Sequence, residues 1–191
     1  MTSFPEMISD LSELEINFYD DKIGENWAKS LLELLNKLTK LHTLKIYLKA
    51  DQIGDNGAQY LPESLRNMTC LHTINIQFGE VGLGENGANL LSNSLGSLIE
   101  LVSLRLDFSL LTFNDSATTC LSDSLCKLIN LVNLDTNLQS TNVSDKAMKI
   151  LSESIRSLNN LNFLVLNLGK NKIESSSNSE IKLALENLKF D

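Results

Sequence analysis

Positive charge is what this chain has least to spare. Sixteen Lys and Arg stand against twenty-four Asp and Glu, a net charge of -8 over 191 residues. Nucleic-acid binding rests on clustered cations, so a phosphate backbone is not an expected partner. The third thirty-residue block, Leu71 to Glu100, has no Lys or Arg at all and carries Glu80, Glu85 and Glu100, which makes it the acidic centre. Cysteine is also scarce. Cys70, Cys120 and Cys126 are odd in number, unevenly spaced and form no CxxC pair, which fits a reducing compartment and a cytoplasmic setting. No apolar run approaches the roughly 18 residues of a membrane helix, so no membrane is expected. The opening MTSFPEMISD lacks the basic start and apolar stretch of a leader. Without one, the acceptor-like triplets at Asn67, Asn114 and Asn142 read as chance matches in an Asn-rich chain.

What the chain does have is a period. Repeats begin at Leu11, Leu41, Leu71, Leu101, Leu131 and Leu161, thirty residues apart with no insertion or deletion. Residues 1–10 form a flank and residues 11–191 one repeat domain. A fixed period of this length signals an array in which no unit covers its own apolar side and stacking creates the core.

Within each repeat, apolar residues first alternate, as in Leu44, Ile46 and Leu48, which predicts a half-buried strand. An apolar residue then precedes a turn (Ile23, Ile53, Leu83, Phe113, Val143, Ile173). Gly24, Gly54 and Gly84 are expected to supply a positive φ there. Glu25, Asp55, Glu85, Asp115 and Asp145 follow, suited to a helix start where backbone amides are exposed. Helical spacing comes next, for example Ala58, Leu61, Leu65 and Met68 on one face. Phe4, Met7 and Ile8 are available as a front cap, and Ile181, Leu185 and Leu188 continue the stripe at the back.

The run Ile46-x-Leu48-x-x-Asp51-x-Ile53-Gly54-Asp55-Asn56-Gly57-Ala58 resembles the leucine-rich repeat family in its long, ribonuclease-inhibitor-like form. The resemblance covers nearly the whole chain. It implies an α/β solenoid: an arc of parallel strands on a concave face with helices on the convex one. The family's asparagine position departs from pattern, reading Asp21, Asp51, Val81, Leu111, Thr141 and Asn171.

Chemical signals are thin. Gly82-Leu-Gly84-Glu-Asn-Gly87 spells GxGxxG between a strand and a helix, but Gly84 and Gly87 recur as Gly54 and Gly57, so turn chemistry accounts for them. His42 and His72 are equivalent positions about 5 Å apart on neighbouring rungs, without a third ligand at fitting spacing. No nucleophile, base and orienting group converge, so no enzyme, cofactor or metal is expected.

The outward strand positions form columns. One is Glu15, Lys45, Asn75, Arg105, Asp135, Val165; the next is Asn17, Tyr47, Gln77, Asp107, Asn137, Asn167; a third is Tyr19, Lys49, Gly79, Ser109, Gln139, Gly169. Two readings are compatible. In one, Glu15 pairs with Lys45 and Arg105 with Asp135 simply to hold the sheet. In the other the face binds protein, with Tyr19, Lys45, Tyr47, Lys49, Arg105, Asp107 and Asp135 as contacts and Phe163 and Val165 as apolar positions on the last strand. The expected role is a non-enzymatic interaction module, an adaptor or structural subunit of a larger intracellular assembly. Family members implied by the resemblance serve in cytoskeletal and axonemal structures. Others, like the Ran GTPase-activating proteins, regulate small GTPases, and that is the alternative.

Overall fold

A computed structural model describes residues 10–19, 25–49, 60–78, 84–109, 111, 113–171 and 173. Strands and helices alternate along the chain: β1 Glu13–Tyr19, α1 Glu25–Leu35, β2 Thr43–Lys49, α2 Tyr60–Leu65, β3 Thr73–Gln77, α3 Glu85–Leu95, β4 Ser103–Asp107, α4 Asp115–Leu125, β5 Asn133–Asn137, α5 Asp145–Arg156 and β6 Phe163–Asn167. All six strands are parallel and lie in chain order, β1 at one edge and β6 at the other. Every residue pairs with the one thirty positions on, as Glu15 with Lys45 and Arg105 with Asp135. The sequence period is therefore the register of the sheet. The chain is an α/β solenoid of thirty-residue repeats, the architecture that the resemblance to leucine-rich repeats implies.

Alternation along each strand divides the sheet into two faces. Leu44, Ile46 and Leu48, then Ile74, Ile76 and Phe78, then Leu104, Leu106 and Phe108 are buried in one continuous core. The helix stripes close it from the other side: Leu31, Leu35 and Leu38 in the first repeat, Leu91, Leu95 and Leu98 in the third, Leu151, Ile155 and Leu158 in the fifth. Phe78, Phe108 and Phe113 stack at the strand exits, with ring centroids 6.0 and 4.6 Å apart. At the two edges the pattern weakens. Leu14 and Ile16 on β1, and Leu164 and Leu166 on β6, are only partly buried. Phe4, Met7, Ile8, Ile181, Leu185 and Leu188 lie outside the described residues.

The rungs are tied by a repeated device where the chain enters each strand. The Ser12 carbonyl accepts from the amides of His42 and Thr43; His42 O accepts from His72 and Thr73, His72 O from Val102 and Ser103, and Val102 O from Val132 and Asn133.

The one turn glycine among the described residues, Gly84, differs from expectation. Gly84 is the N-cap of α3 with φ -78°, ordinary extended backbone. Asn114 and Ser144 occupy the same position in the next two repeats, and their side chains accept from Ala117 N and Ala147 N. The position requires a helix cap, not a left-handed turn. Positive φ occurs instead at Ser140, Asn142 and Lys170. Gly24 and Gly54 lie outside the described residues. The acids Glu25, Glu85, Asp115 and Asp145 are each the first helical residue, where negative charge favours the free amides.

Candidate recognition surface

Because neighbouring strands are offset by thirty residues, side chains on the solvent face stand in columns. Glu15, Lys45, Asn75, Arg105, Asp135 and Val165 are successive neighbours, as are Asn17, Tyr47, Gln77, Asp107, Asn137 and Asn167. A further column, Glu13, Thr43, Thr73, Ser103, Asn133 and Phe163, precedes them and was not singled out by the sequence pattern. Tyr19 and Lys49 are backbone partners at the far end of β1 and β2; their side chains lie outside those described.

Two ion clusters sit on this face. Lys45 Nζ contacts Glu15 Oε2 at 3.4 Å, the lateral pair expected, but its shorter contact is Glu13 Oε1 at 2.8 Å. Glu13 and Glu15 share one face of β1, so the flexible lysine spans both. The hydrogen bond to Glu13, then its charge, hold the Lys45 ammonium above the ordinary lysine range. The second cluster is Arg105 Nε with Asp135 Oδ2 at 3.3 Å, with the arginine side chain more than half exposed. Exposed pairs of this kind contribute about 0–1 kcal/mol each, so the clusters do little for stability.

Amides link the columns between the clusters. Asn75 Nδ2 donates to the Tyr47 hydroxyl at 3.2 Å, and Gln77 Nε2 to Asn75 Oδ1 at 3.5 Å. The tyrosine ring is thereby held half-buried against the sheet. Asp107, Asn137 and Asn167 share a second duty: each side-chain Oδ1 accepts from the amide two residues on, Ser109, Gln139 and Gly169. These short polar side chains close the strand exits as local turns, so Asp107 is part of the scaffold as well as of the surface. At the β6 end the face becomes apolar. Phe163 is 51% and Val165 39% exposed.

The asparagine position is described in repeats four to six; Asp21, Asp51 and Val81 lie outside the described residues. Asn171 donates to Leu138 O and Leu168 O, and its Oδ1 accepts from Thr141 N at 3.0 Å and Val143 N at 3.4 Å. One side chain of repeat six thus satisfies the turn of repeat five, where Thr141 Oγ1 adds a bond to Leu138 O. In repeat four the same position is a buried leucine, Leu111, whose amide donates to Phe108 O.

His42 and His72 stack at 5.1 Å, and the Nδ1 of His72 lies 2.8 Å from Cys70 O. Among the described residues no group of three or more His, Cys, Asp or Glu is placed to hold a metal ion. Within the glycine pattern, Gly84 caps α3 and Gly87 is buried inside it; Gly82 lies outside the described residues. Among the described residues no helix is long and apolar enough to cross a membrane.

No family model and no curated protein matches the chain. Among solved structures, it is similar to a Bacteroides fragilis protein (14% identity, TM-score 0.31), covering 94% of this chain but only 65% of that one. It is also similar to an internalin C2 from Listeria monocytogenes, at 19% identity and a TM-score of 0.42, covering 97% of this chain and 80% of that one. Neither likeness bears on function, and the assignment of the fold stands on the thirty-residue register of the sheet.

Proposed function

We propose that this chain is a non-enzymatic protein-interaction module, an adaptor or structural subunit of a larger assembly, and that it binds through the solvent face of its sheet. One observation carries the reading: β1 to β6 run in unbroken register and align Tyr47, Arg105, Asp107 and Asp135 on one face with the exposed Phe163 and Val165. Tyr, Phe and Arg are the side chains that carry binding energy at protein interfaces. The rigid backbone beneath them limits the ordering cost of association. Residues 1–10 serve as a flank to a single repeat domain, residues 11–191.

Native co-purification followed by Tyr47→Ala and Arg105→Glu tests the surface. Either substitution should weaken the recovered contact about tenfold or more. If both variants retain it undiminished, the helical side or the edges of the sheet become the binding region and this reading falls. Measuring GTP turnover by small GTPases in the presence of the chain separates an adaptor from a regulator of the Ran-activator kind.

A further inference from the structure

We infer that the β4–β6 end of the solvent face takes an extended partner segment that presents a cation, best an arginine, beside an apolar side chain. The apolar group covers Phe163 and Val165 and the cation meets Asp135. This deepens the reading of the face as an interaction surface and rests on it.

Phe163 and Val165 are two residues apart on β6, so they stand on the same side of the strand as neighbours. Large apolar side chains exposed side by side, and rimmed by polar ones, mark a place of contact. Their rim is specified by the register: Asn133 lies opposite Phe163, and Asp135 opposite Val165. Asp135 offers only Oδ2 to Arg105, and its Oδ1 has no partner among the described residues. On the next rung Asp107 commits Oδ1 to the Ser109 amide, and its Oδ2 has no partner among the described residues. One open carboxylate oxygen, on Asp135, therefore lies on the strand next to the apolar pair, and a second, on Asp107, one strand further away.

The charge on the rest of the face favours a cationic occupant over an anionic one. Among the described side chains, Glu13, Glu15, Asp107 and Asp135 are set against Lys45 and Arg105, and both cations already touch carboxylates. At the β4–β6 end an incoming carboxylate would meet two like charges, Asp107 and Asp135, around a single cation, Arg105. An incoming guanidinium has two gains available. One of its N–H groups can donate to the free Oδ1 of Asp135, and its planar face can stack on the exposed Phe163 ring. Lysine would take the first but lacks the flat surface for the second.

The probes are fluorescein-labelled twelve-residue peptides of alternating Leu and Arg, Leu and Glu, or Ser and Arg, read by anisotropy against the full chain. The Leu–Arg peptide should bind, and its affinity should fall with added salt and drop about tenfold in Phe163→Ser. Asp135→Asn should weaken it several-fold, and both variants should keep the wild-type denaturation midpoint because their side chains point to solvent. The Leu–Glu and Ser–Arg peptides should bind at least tenfold more weakly. Equal binding of the Leu–Glu peptide, or Leu–Arg binding untouched by both substitutions, would overturn the inference. Should Tyr47→Ala and Arg105→Glu abolish the co-purified contact while no Leu–Arg binding is seen, the surface stands and the cationic partner is overturned.

Discussion

Thr136 stands on the inner face of β5, between Leu106 on β4 and Leu166 on β6, in a row that is otherwise aliphatic. It is 1% exposed, and its Oγ1 has no hydrogen-bond partner among the described residues. A hydroxyl removed from water without a partner costs about 1–3 kcal/mol. Replacing it with a methyl group of nearly the same shape removes that cost, so Thr136→Val should raise stability by about 1 kcal/mol. The expected outcome is a higher denaturant midpoint at unchanged slope; a lower midpoint would show that the hydroxyl is satisfied. Asn171 illustrates the opposite case. Its single amide both accepts and donates, meeting backbone groups from Leu138, Thr141, Val143 and Leu168.

Helices in this chain are joined to one another by polar side chains that the aliphatic stripe does not reveal. Ser94, Ser124 and Ser154 recur every thirty residues, and Ser92, Ser122 and Ser152 do the same; all six are buried. Their hydroxyls mostly bond within their own helix, but Ser124 Oγ donates across to Ser92 O at 2.6 Å. In repeats three to five the sequence carries Ser-x-Ser directly after Leu91, Leu121 and Leu151, a pattern that hydropathy alone assigns to the surface because serine is usually exposed. A second cross-link lies at the helix starts. Asp115, first residue of α4, accepts from both the amide and the hydroxyl of Ser144, the N-cap of α5, at 2.8 and 2.6 Å. Asp115→Ala should therefore cost about 1–2 kcal/mol, the scale of a lost cap. Asp123→Ala, an exposed acid on the same helix, should change stability by less than about 0.5 kcal/mol. Thermal unfolding of the two variants side by side checks the difference, and equal midpoints would refute it.

For the whole molecule, each rung is buried by the rungs on either side, so the cost of a core deletion should depend on position in the array. Leu106 and Leu166 are equivalent residues of β4 and β6, yet Leu106 is fully buried and Leu166 only partly. Leu106→Ala should cost about 2–5 kcal/mol and Leu166→Ala roughly half as much. Amide exchange should follow the same gradient, slowest in β3 to β5 and faster in β1 and β6. A uniform profile, or equal penalties for the two leucines, would mean that the array does not derive its stability from neighbour-to-neighbour stacking.

The thirty-residue period was enough to set the strands side by side in chain order, with their register and the side chains that face water, because equivalent positions of stacked units must align. That the strands run parallel was implied by the resemblance to leucine-rich repeats and not by the period. Composition was enough to set the balance of charge on the chain. The period could not reveal that Lys45 takes Glu13 at closer range than Glu15, that Gly84 caps a helix in extended backbone, or that Asn171 serves the repeat before its own. Those outcomes depend on rotamers and on distances of a few tenths of an ångström between residues from different repeats, which exist only once the rungs are packed. The open oxygen of Asp135, opposite Val165, is of the same kind. Alternation places both residues on one face, and only packing decides which polar atoms remain without a partner.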